Sequence, residues 1–220
     1  MRVSSAGRLG IGTTSVNFPL EIGTTGGDAA GAGTFSNDSA GANFYLRKSR
    51  GASVETNTIV NSQDAIGTIL FGGANGTGYT NAAAIRAEVD GTPGASSDMP
   101  GRLLLMTTPN GSGTITEAVR ITEAQFVGIG TTSPDVKLEV EGATDELVQI
   151  TSSYNNATGA QLNMHHTRGT GGAQGIVSSG DVMTIRFRGS DGSAYRSLAS
   201  ITAAVDGTPG ASDMPGRIMF

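Results

Sequence analysis

The stretch GTILFGGANGTGYTNAAAIRAEVDG, residues 67–91, decides the fold because it joins two strand-like runs through a tight-turn signal. Asn75-Gly76 favours the positive φ angles of a two-residue hairpin turn. The stretch MTIRFRGSDGSAYRSLASITAAVDG, residues 183–207, aligns with it without a gap, and Asp191-Gly192 replaces the turn. Helix propensity alone would allow a short helix in AAAIRAEV, but the second copy is more β-branched. The pattern therefore predicts two equivalent β-hairpins.

The repeat extends beyond the hairpins. LGIGTTS at 9–15 recurs as VGIGTTS at 127–133, an offset of 118 residues, and VDGTPGAS at 89–96 recurs at 205–212, an offset of 116. A period this long is a domain-sized unit and not a short solenoid coil. We expect tandem β repeats of about 117 residues, in which a residue shared by both copies serves the architecture.

The repeat predicts four segments. These are a stem segment over 1–23, a first β repeat domain over 24–122, a second stem segment over 123–142 and a second β repeat domain over 143–220. Both ends of the sequence fall inside strand-like runs, so we expect an excerpt from a longer array, with the second domain truncated. The alternative is a complete protein that starts at Met1.

Composition restricts both the core and the partners. The 220 residues include 34 Gly and no Trp, and charged residues make up only 15%. Such a chain has few large side chains with which to build a hydrophobic core by itself. Its alternating apolar residues and its net charge of −5 nevertheless do not match the composition of a disordered chain. We expect several identical chains to share each core. The mild acidity argues against nucleic acid, and the absence of a long apolar run predicts no membrane insertion.

Glycine, aspartate and proline recur at the predicted turns and crossings. The glycines of GIGTTS suit chains wound closely round a common axis, since a residue without Cβ permits close backbone approach. Asp-Gly opens a turn, and Pro-Gly suits a type II turn. Alternating apolar residues at 44–46 and 162–164 predict one further strand in each copy. The predicted structural residues are Gly10, Gly12, Gly128, Gly130, Asp90, Gly91, Pro100, Gly101, Asp206, Gly207, Pro215 and Gly216.

Residues that could carry chemistry are few. His165 and His166 are adjacent, so on a strand they would point to opposite faces, and Arg47 and Lys48 replace them in the first copy. The basic residues at 186 and 188 are predicted to lie on a solvated strand face. The repeated carboxylates are Glu21/Glu139, Asp90/Asp206 and Asp98/Asp213, and a turn role is favoured for Asp90 and Asp98, which open turns. We therefore predict no catalytic residue, no cofactor, no metal site and no enzyme.

Three segments resemble the repeats of bacteriophage tail fibres and related long virion fibres. They are FVGIGTTSPDVKLEVEG (126–142), AEVDGTPGASSDMPGRLLL (87–105) and TITEAVRI (114–121), and the resemblance covers nearly the whole chain because both copies carry it. One departure is Val16, where the second copy has Pro134. The resemblance implies all-β domains, sandwich-like or β-helical, joined by an intertwined β-stem in a parallel homotrimer.

The resemblance also implies a function. It points to a structural part of a virion tail fibre, an elongated shaft that supports receptor recognition and adsorption, with other tail or baseplate proteins as partners. Contact with a host glycan is a further expectation. Two alternatives remain open. A tailspike-type polysaccharide depolymerase would need an acid/base carboxylate pair in a groove, and a bacterial surface fibre or adhesin would use the same repeat.

Overall fold

The structure is a computed structural model that describes residues 1–13, 15–24, 30, 39, 41–94, 97–143, 148–153, 159–169, 175–210 and 212–220. The described residues form twelve β-strands and no helix, so the protein is all-β, as the sequence predicted. Two units make up the chain, Met1–Val148 and Gln149–Phe220. This boundary does not separate stem segments from repeat domains, and the finer division stays a prediction. Among the described residues, no helix is long and apolar enough to cross a membrane.

The first unit contains two sheets. One has three strands in the order β1-β2-β3, and the other has six in the order β4-β5-β6-β7-β8-β9. All neighbours are antiparallel except the pairs β2–β3 and β8–β9, which are parallel. The strands are β1 Arg2–Val3, β2 Leu9–Ile11, β3 Leu20–Ile22, β4 Ala65–Ala74, β5 Tyr79–Val89, β6 Gly101–Thr107, β7 Thr116–Ile121, β8 Val127–Ile129 and β9 Leu138–Val140.

The second unit contains an antiparallel sheet of β10 (Val182–Ser190), β11 (Tyr195–Val205) and β12 (Gly216–Met219), in that order. Its β10–β11 hairpin has the same pairing as β4–β5 from Met183 to Ser190, which correspond to Gly67 to Ala74. A β-bulge follows Phe71 in the first hairpin and Phe187 in the second, which are equivalent positions. The two predicted hairpins are thus confirmed, and the segment AAAIRAEV is strand and not helix.

The strands predicted at 44–46 and 162–164 are absent, and that prediction was wrong. Near the first segment the backbone bonds locally, with Arg50 N donating to the carbonyl oxygen of Thr58 at 3.2 Å. Leu46 lies directly on β4, since a Cβ built on Gly67 would be 2.6 Å from the Leu46 Cβ. Leu46 therefore packs onto the hairpin without a hydrogen-bonded strand, whereas Phe44 is 83% exposed.

Several buried side chains of the six-stranded sheet lie on one of its faces, whereas the fully buried Val89 lies at the end of the other. Ala84, Leu104 and Met106 form a small cluster on the first of these faces, with Ile115 packed against it. The same face carries Glu88 and the buried Arg120. Charged residues thus occupy the covered face of the sheet.

The opposite face is aliphatic and open. We call it the aliphatic face, and the strand register places two rows of apolar residues on it. The first row is Ile69, Ile85, Leu105, Val119, Ile129 and Val140, and the second is Ala87, Leu103, Ile121, Val127 and Leu138. Leu105 is 43% exposed and Ile69 is 47% exposed. Each described strand contacts only its hydrogen-bonded neighbours, so no second sheet of this unit covers the face.

The second unit repeats this arrangement. Ile185 pairs with Ile201, and Met183 stands in a row with Ala203 and Ile218. Ile185, Ile201 and Ile218 are all exposed. Each unit therefore presents an open apolar sheet face.

Candidate functional site

The stem segments cross in parallel with almost no room between the backbones. Residues 12–19 join β2 to β3 and residues 130–137 join β8 to β9, whereas parallel strands usually need a dozen or more connecting residues. Gly12 and Gly130 make this connection with φ angles of 72° and 75°. A Cβ on either glycine would lie 2.0 Å from a carbonyl oxygen, that of Gly23 or of Glu141. Only glycine fits these two positions.

The other two predicted stem glycines are also crowded. A Cβ on Gly10 would be 2.7 Å from the Val16 side chain, and one on Gly128 would be 2.8 Å from the carbonyl oxygen of Thr131. Contacts within the chain are therefore enough to require a small residue at all four positions. The close winding of several chains round a common axis stays a prediction.

Carboxylates close the stem turns. Glu21 accepts a hydrogen bond from Asn17 N at 2.6 Å, and Glu139 accepts one from Asp135 N at 2.8 Å. These are equivalent positions in the two copies. The repeated Glu of PLEI and KLEV is thus engaged by backbone in both stems.

Arg120 holds the second stem turn to β7. Its Nε and Nη2 pair with the carboxylate of Glu117, and its Nη1 donates to the carbonyl oxygen of Thr132 at 2.5 Å. The hydrogen bonds to Glu117 raise the pKa of Arg120. The sequence analysis did not single out this residue, although TEAVRI is part of the segment that resembles tail fibres.

Asp90-Gly91 and Pro100-Gly101 form one structure. Asp90 N donates to the carbonyl oxygen of Pro100 at 3.0 Å, and a Cβ on Gly91 would be 3.2 Å from the Pro100 ring. Gly91 has a φ of 138°. Asp206, Gly207 and Pro215 repeat this geometry, with the equivalent hydrogen bond also at 3.0 Å.

The predicted type II turn at Pro-Gly was wrong. Gly101 and Gly216 begin β6 and β12, and neither has the positive φ that this turn requires. The left-handed conformation falls on Gly91 and Gly207 instead. The proline contributes its carbonyl oxygen and its ring to close the loop from the other side.

Arg102 links this loop to the sheet. Its guanidinium pairs with Glu88 at 2.6 Å and with Asp90 at 3.0 Å, and all three side chains are largely buried. Asp90 also accepts a hydrogen bond from Glu123 N at 3.0 Å. The second unit keeps only the pair of Arg217 with Asp206, at 2.5 Å, since alanine replaces Glu88 there.

A second repeated ion pair fastens the irregular segment before each hairpin. Arg50 binds both carboxylate oxygens of Asp64 at 2.6 Å, and Arg168 binds those of Asp181 at 2.8 and 2.7 Å. These hydrogen bonds hold the pKa values of both aspartates well below their usual range. The signals of this clamp in the sequence are the Arg-Gly and the aspartate before the hairpin, which both copies share.

The residues that could carry chemistry lie in ion pairs and turns. His166 Nε2 lies 3.6 Å from Asp181, whose two oxygens already bind Arg168. Among the described residues, no group of three His, Asp or Glu side chains could hold a metal ion. The side-chain oxygens of Asn75 and Asp191 accept backbone hydrogen bonds inside the predicted hairpin turns. The repeated residues thus build turns and crossings.

Two solved structures share this fold. The carboxy-terminal domain of the bacteriophage T5 L-shaped tail fibre aligns with a TM-score of 0.68 and 17% identity, over 86% of this chain and 80% of that chain. The same domain with its intra-molecular chaperone domain aligns with a TM-score of 0.67 and 19% identity, over 85% of this chain and 55% of that chain. No family model and no curated protein matches the sequence. The likeness establishes an all-β fold similar to that of a phage tail-fibre domain.

Proposed function

We propose that the protein is a structural component of a bacteriophage tail fibre, located in the virion tail. Three identical chains form an elongated shaft that supports receptor recognition and adsorption, and other tail or baseplate proteins hold it. The open aliphatic face carries this proposal. The fold similarity to the bacteriophage T5 tail-fibre domain supports it, as does the resemblance of the repeat motifs.

The aliphatic face requires a covering partner. Large contiguous apolar patches on soluble monomers mark interaction surfaces, and this face extends across all six strands. Burial contributes about 25 cal/mol per Å² of apolar area, so association offers a large stabilisation.

Further copies of the same chain are the partner that fits. Both units repeat the open apolar face, so identical chains aligned in parallel would cover every face at once. A sandwich-like or β-helical layer would then form between chains. The number three comes from the tail-fibre resemblance.

The role is structural and not enzymatic. Glu21, Glu139, Asp64 and Asp181 all accept backbone or arginine hydrogen bonds, as do Asp90 and Asp206. A depolymerase of the tailspike type needs a carboxylic acid and a carboxylate that reach a bound sugar. Release of reducing ends from a host capsule by the purified chain would reinstate that alternative.

Native mass spectrometry and light scattering test the proposal. We expect a species of three times 22.2 kDa that persists on dilution to micromolar concentration. A stable monomer would contradict it, and a dimer would keep the apolar interface but exclude the trimeric shaft. Antibody labelling of purified virions separates a tail fibre from a bacterial surface fibre, because only the former places the epitope on phage tails.

A further inference from the structure

Each hairpin continues past its sheet as a two-stranded arm. Strand β6 pairs with β5 only from Ala83 to Val89, and Ala199 is the counterpart of Ala83 in the second hairpin. We call residues 72–81 the first arm and residues 188–197 the second arm. Both begin at the equivalent β-bulge, and both carry an exposed tyrosine directly after the turn, Tyr79 or Tyr195.

One face of the second arm and its base combines arginine, tyrosine and serine. The register sets Arg188 opposite Ser197, Ser190 opposite Tyr195, and Arg186 opposite Ser200. Alternate residues of a strand share a face, so these six side chains lie together on what we call the arginine–tyrosine face. The four arm residues among them, Arg188, Ser190, Tyr195 and Ser197, are exposed, and Tyr195 is 68% exposed.

The cations of this face carry no acidic partner. Arg188 Nη2 donates to the carbonyl oxygen of Tyr195 at 3.0 Å, which holds the guanidinium beside the tyrosine. Asp191 at the tip is occupied by Arg196, whose hydrogen bond holds the pKa of that carboxyl well below its usual range. Within the part of the chain that the structure describes, no ion pair involves Arg186 or Arg188.

The first arm shows that the hairpin architecture does not need these arginines. Leu70 occupies the position of Arg186, Gly72 that of Arg188, and Thr80 that of Arg196. The paired strands, the bulge and the turn are nevertheless the same. The positive charge is therefore an added property of the second unit, on a chain whose net charge is −5.

We infer that the arginine–tyrosine face binds an acidic saccharide, a sugar that bears carboxylate or phosphate groups. A guanidinium recognises either anion with two parallel hydrogen bonds, while the open tyrosine ring offers a flat surface for the sugar ring. The serine hydroxyls supply donors and acceptors for sugar hydroxyls. That the saccharide belongs to a bacterial surface rests on the proposed tail-fibre function.

Binding by the purified chain tests this inference. The probes are hexagalacturonate, which carries carboxylates, a phosphomannan hexasaccharide, which carries phosphates, and uncharged galactohexaose, each followed by NMR titration. We expect the acidic probes to bind and the neutral one to bind at least about tenfold more weakly, with affinity falling as salt rises. The better of the two acidic probes identifies the anion.

Two variants locate the site. Arg186→Gln with Arg188→Gln should weaken acidic binding at least about tenfold, and Tyr195→Ser should weaken it as well. Tyr79→Ser in the first arm is the matched control and should leave affinity unchanged. The inference is overturned if the neutral probe or an oligonucleotide binds as tightly as the acidic probes. It is also overturned if the double arginine variant keeps the affinity of the parent chain, or if Tyr79→Ser loses as much affinity as the variants of the second arm.

The outcomes separate the inference from the proposed function. Native mass is measured on the same samples, and thermal melting verifies that each variant is folded. A trimer that binds no acidic saccharide overturns the inference alone. A monomeric protein that binds the acidic saccharide through the arginine–tyrosine face contradicts the proposed trimeric shaft but supports the inferred binding site.

Discussion

The carbonyl oxygen of Glu141 occupies the space that a side chain at Gly130 would need, with only 2.0 Å between that oxygen and a built Cβ. Glu141 N in turn donates to the carbonyl oxygen of Ile129 at 2.9 Å, which continues the parallel pairing of β8 and β9. The tight stem crossing and its hydrogen bond therefore depend on one missing Cβ.

Gly130→Ala should destabilise the protein more than Gly111→Ala. Both glycines have left-handed φ angles, 75° and 79°, but a Cβ on Gly111 would meet no atom within 4 Å. We expect about 1–2 kcal/mol for Gly111→Ala from backbone strain alone. Gly130→Ala should cost roughly 2–5 kcal/mol because crowding adds to that strain. Urea denaturation measures both, and equal losses would contradict the crossing as described.

Arg102→Ala should cost more stability than Glu88→Ala. Removing Arg102 leaves the buried carboxylate of Glu88 with only the partly exposed Arg86 at 3.3 Å. Removing Glu88 leaves Arg102 paired with Asp90, as Arg217 is with Asp206 in the second unit. We expect about 2–4 kcal/mol for Arg102→Ala and under about 1.5 kcal/mol for Glu88→Ala. The reverse order in chemical denaturation would show that the pair is not buried as a unit.

The free energy of unfolding should decrease at acidic pH because the carboxylate of Asp64 becomes protonated. The pKa of this carboxyl is lowered in the folded state, so the unfolded chain binds more protons as the pH drops. The stabilisation is present above the free-aspartate pKa of about 3.9 and is lost as the pH falls toward the lowered folded value. Asp64→Asn and Arg50→Gln should both flatten the loss of stability measured between about pH 5 and pH 2. A variant as acid-sensitive as the parent chain would refute the clamp.

Leu105→Lys should dissociate the assembly while leaving the single chain folded. Leu105 is 43% exposed in one chain, so a lysine there costs little in a monomer. In the shared core that we propose, the charge would be buried without a partner. Asn110→Lys, at the exposed tip between β6 and β7, is the control. Native mass spectrometry should show monomers only for Leu105→Lys, and an intact trimer in that variant would place the interface elsewhere.

Gln125→Gly should stabilise the first unit. Gln125 has a φ of 60°, and its counterpart in the first stem is Gly7, with a φ of 72°. Relief of left-handed strain should exceed the entropic cost of glycine by about 0.5–1 kcal/mol. Gln125→Ala is the control, because it removes the side chain without freeing the backbone. A stabilisation by both variants in thermal melts would point to the side chain as the cause.

Local chemistry made the hairpins predictable from the sequence. Asn75-Gly76 and Asp191-Gly192 specify their turns through contacts between residues that are close in sequence. The side-chain oxygen of each Asn or Asp accepts hydrogen bonds from the backbone N–H groups two and three residues ahead. The Pro-Gly prediction failed because the conformation of Gly101 is set by strand pairing to Val89. Propensity within a dipeptide cannot report that distant partner.

The ion pairs and the open face required three-dimensional information. Arg50 and Asp64 are separated by an irregular segment, so no periodicity relates them, although both recur in the second copy. Apolar alternation on β5 and β6 shows that one face is aliphatic. It cannot show that Arg120 and Glu88, on the opposite face, are buried within the chain.

The bulge after Phe71 and Phe187 marks the base of the arm in both hairpins. On the sheet side of the bulge, Ile69 pairs with Ile85 across the strands, and isoleucine recurs at both positions in the second copy. Beyond the bulge, Gly72 and Thr80 give way to arginine while the turn stays intact. The arm is thus an exchangeable tip whose surface can diversify from unit to unit without disturbing the scaffold that presents it.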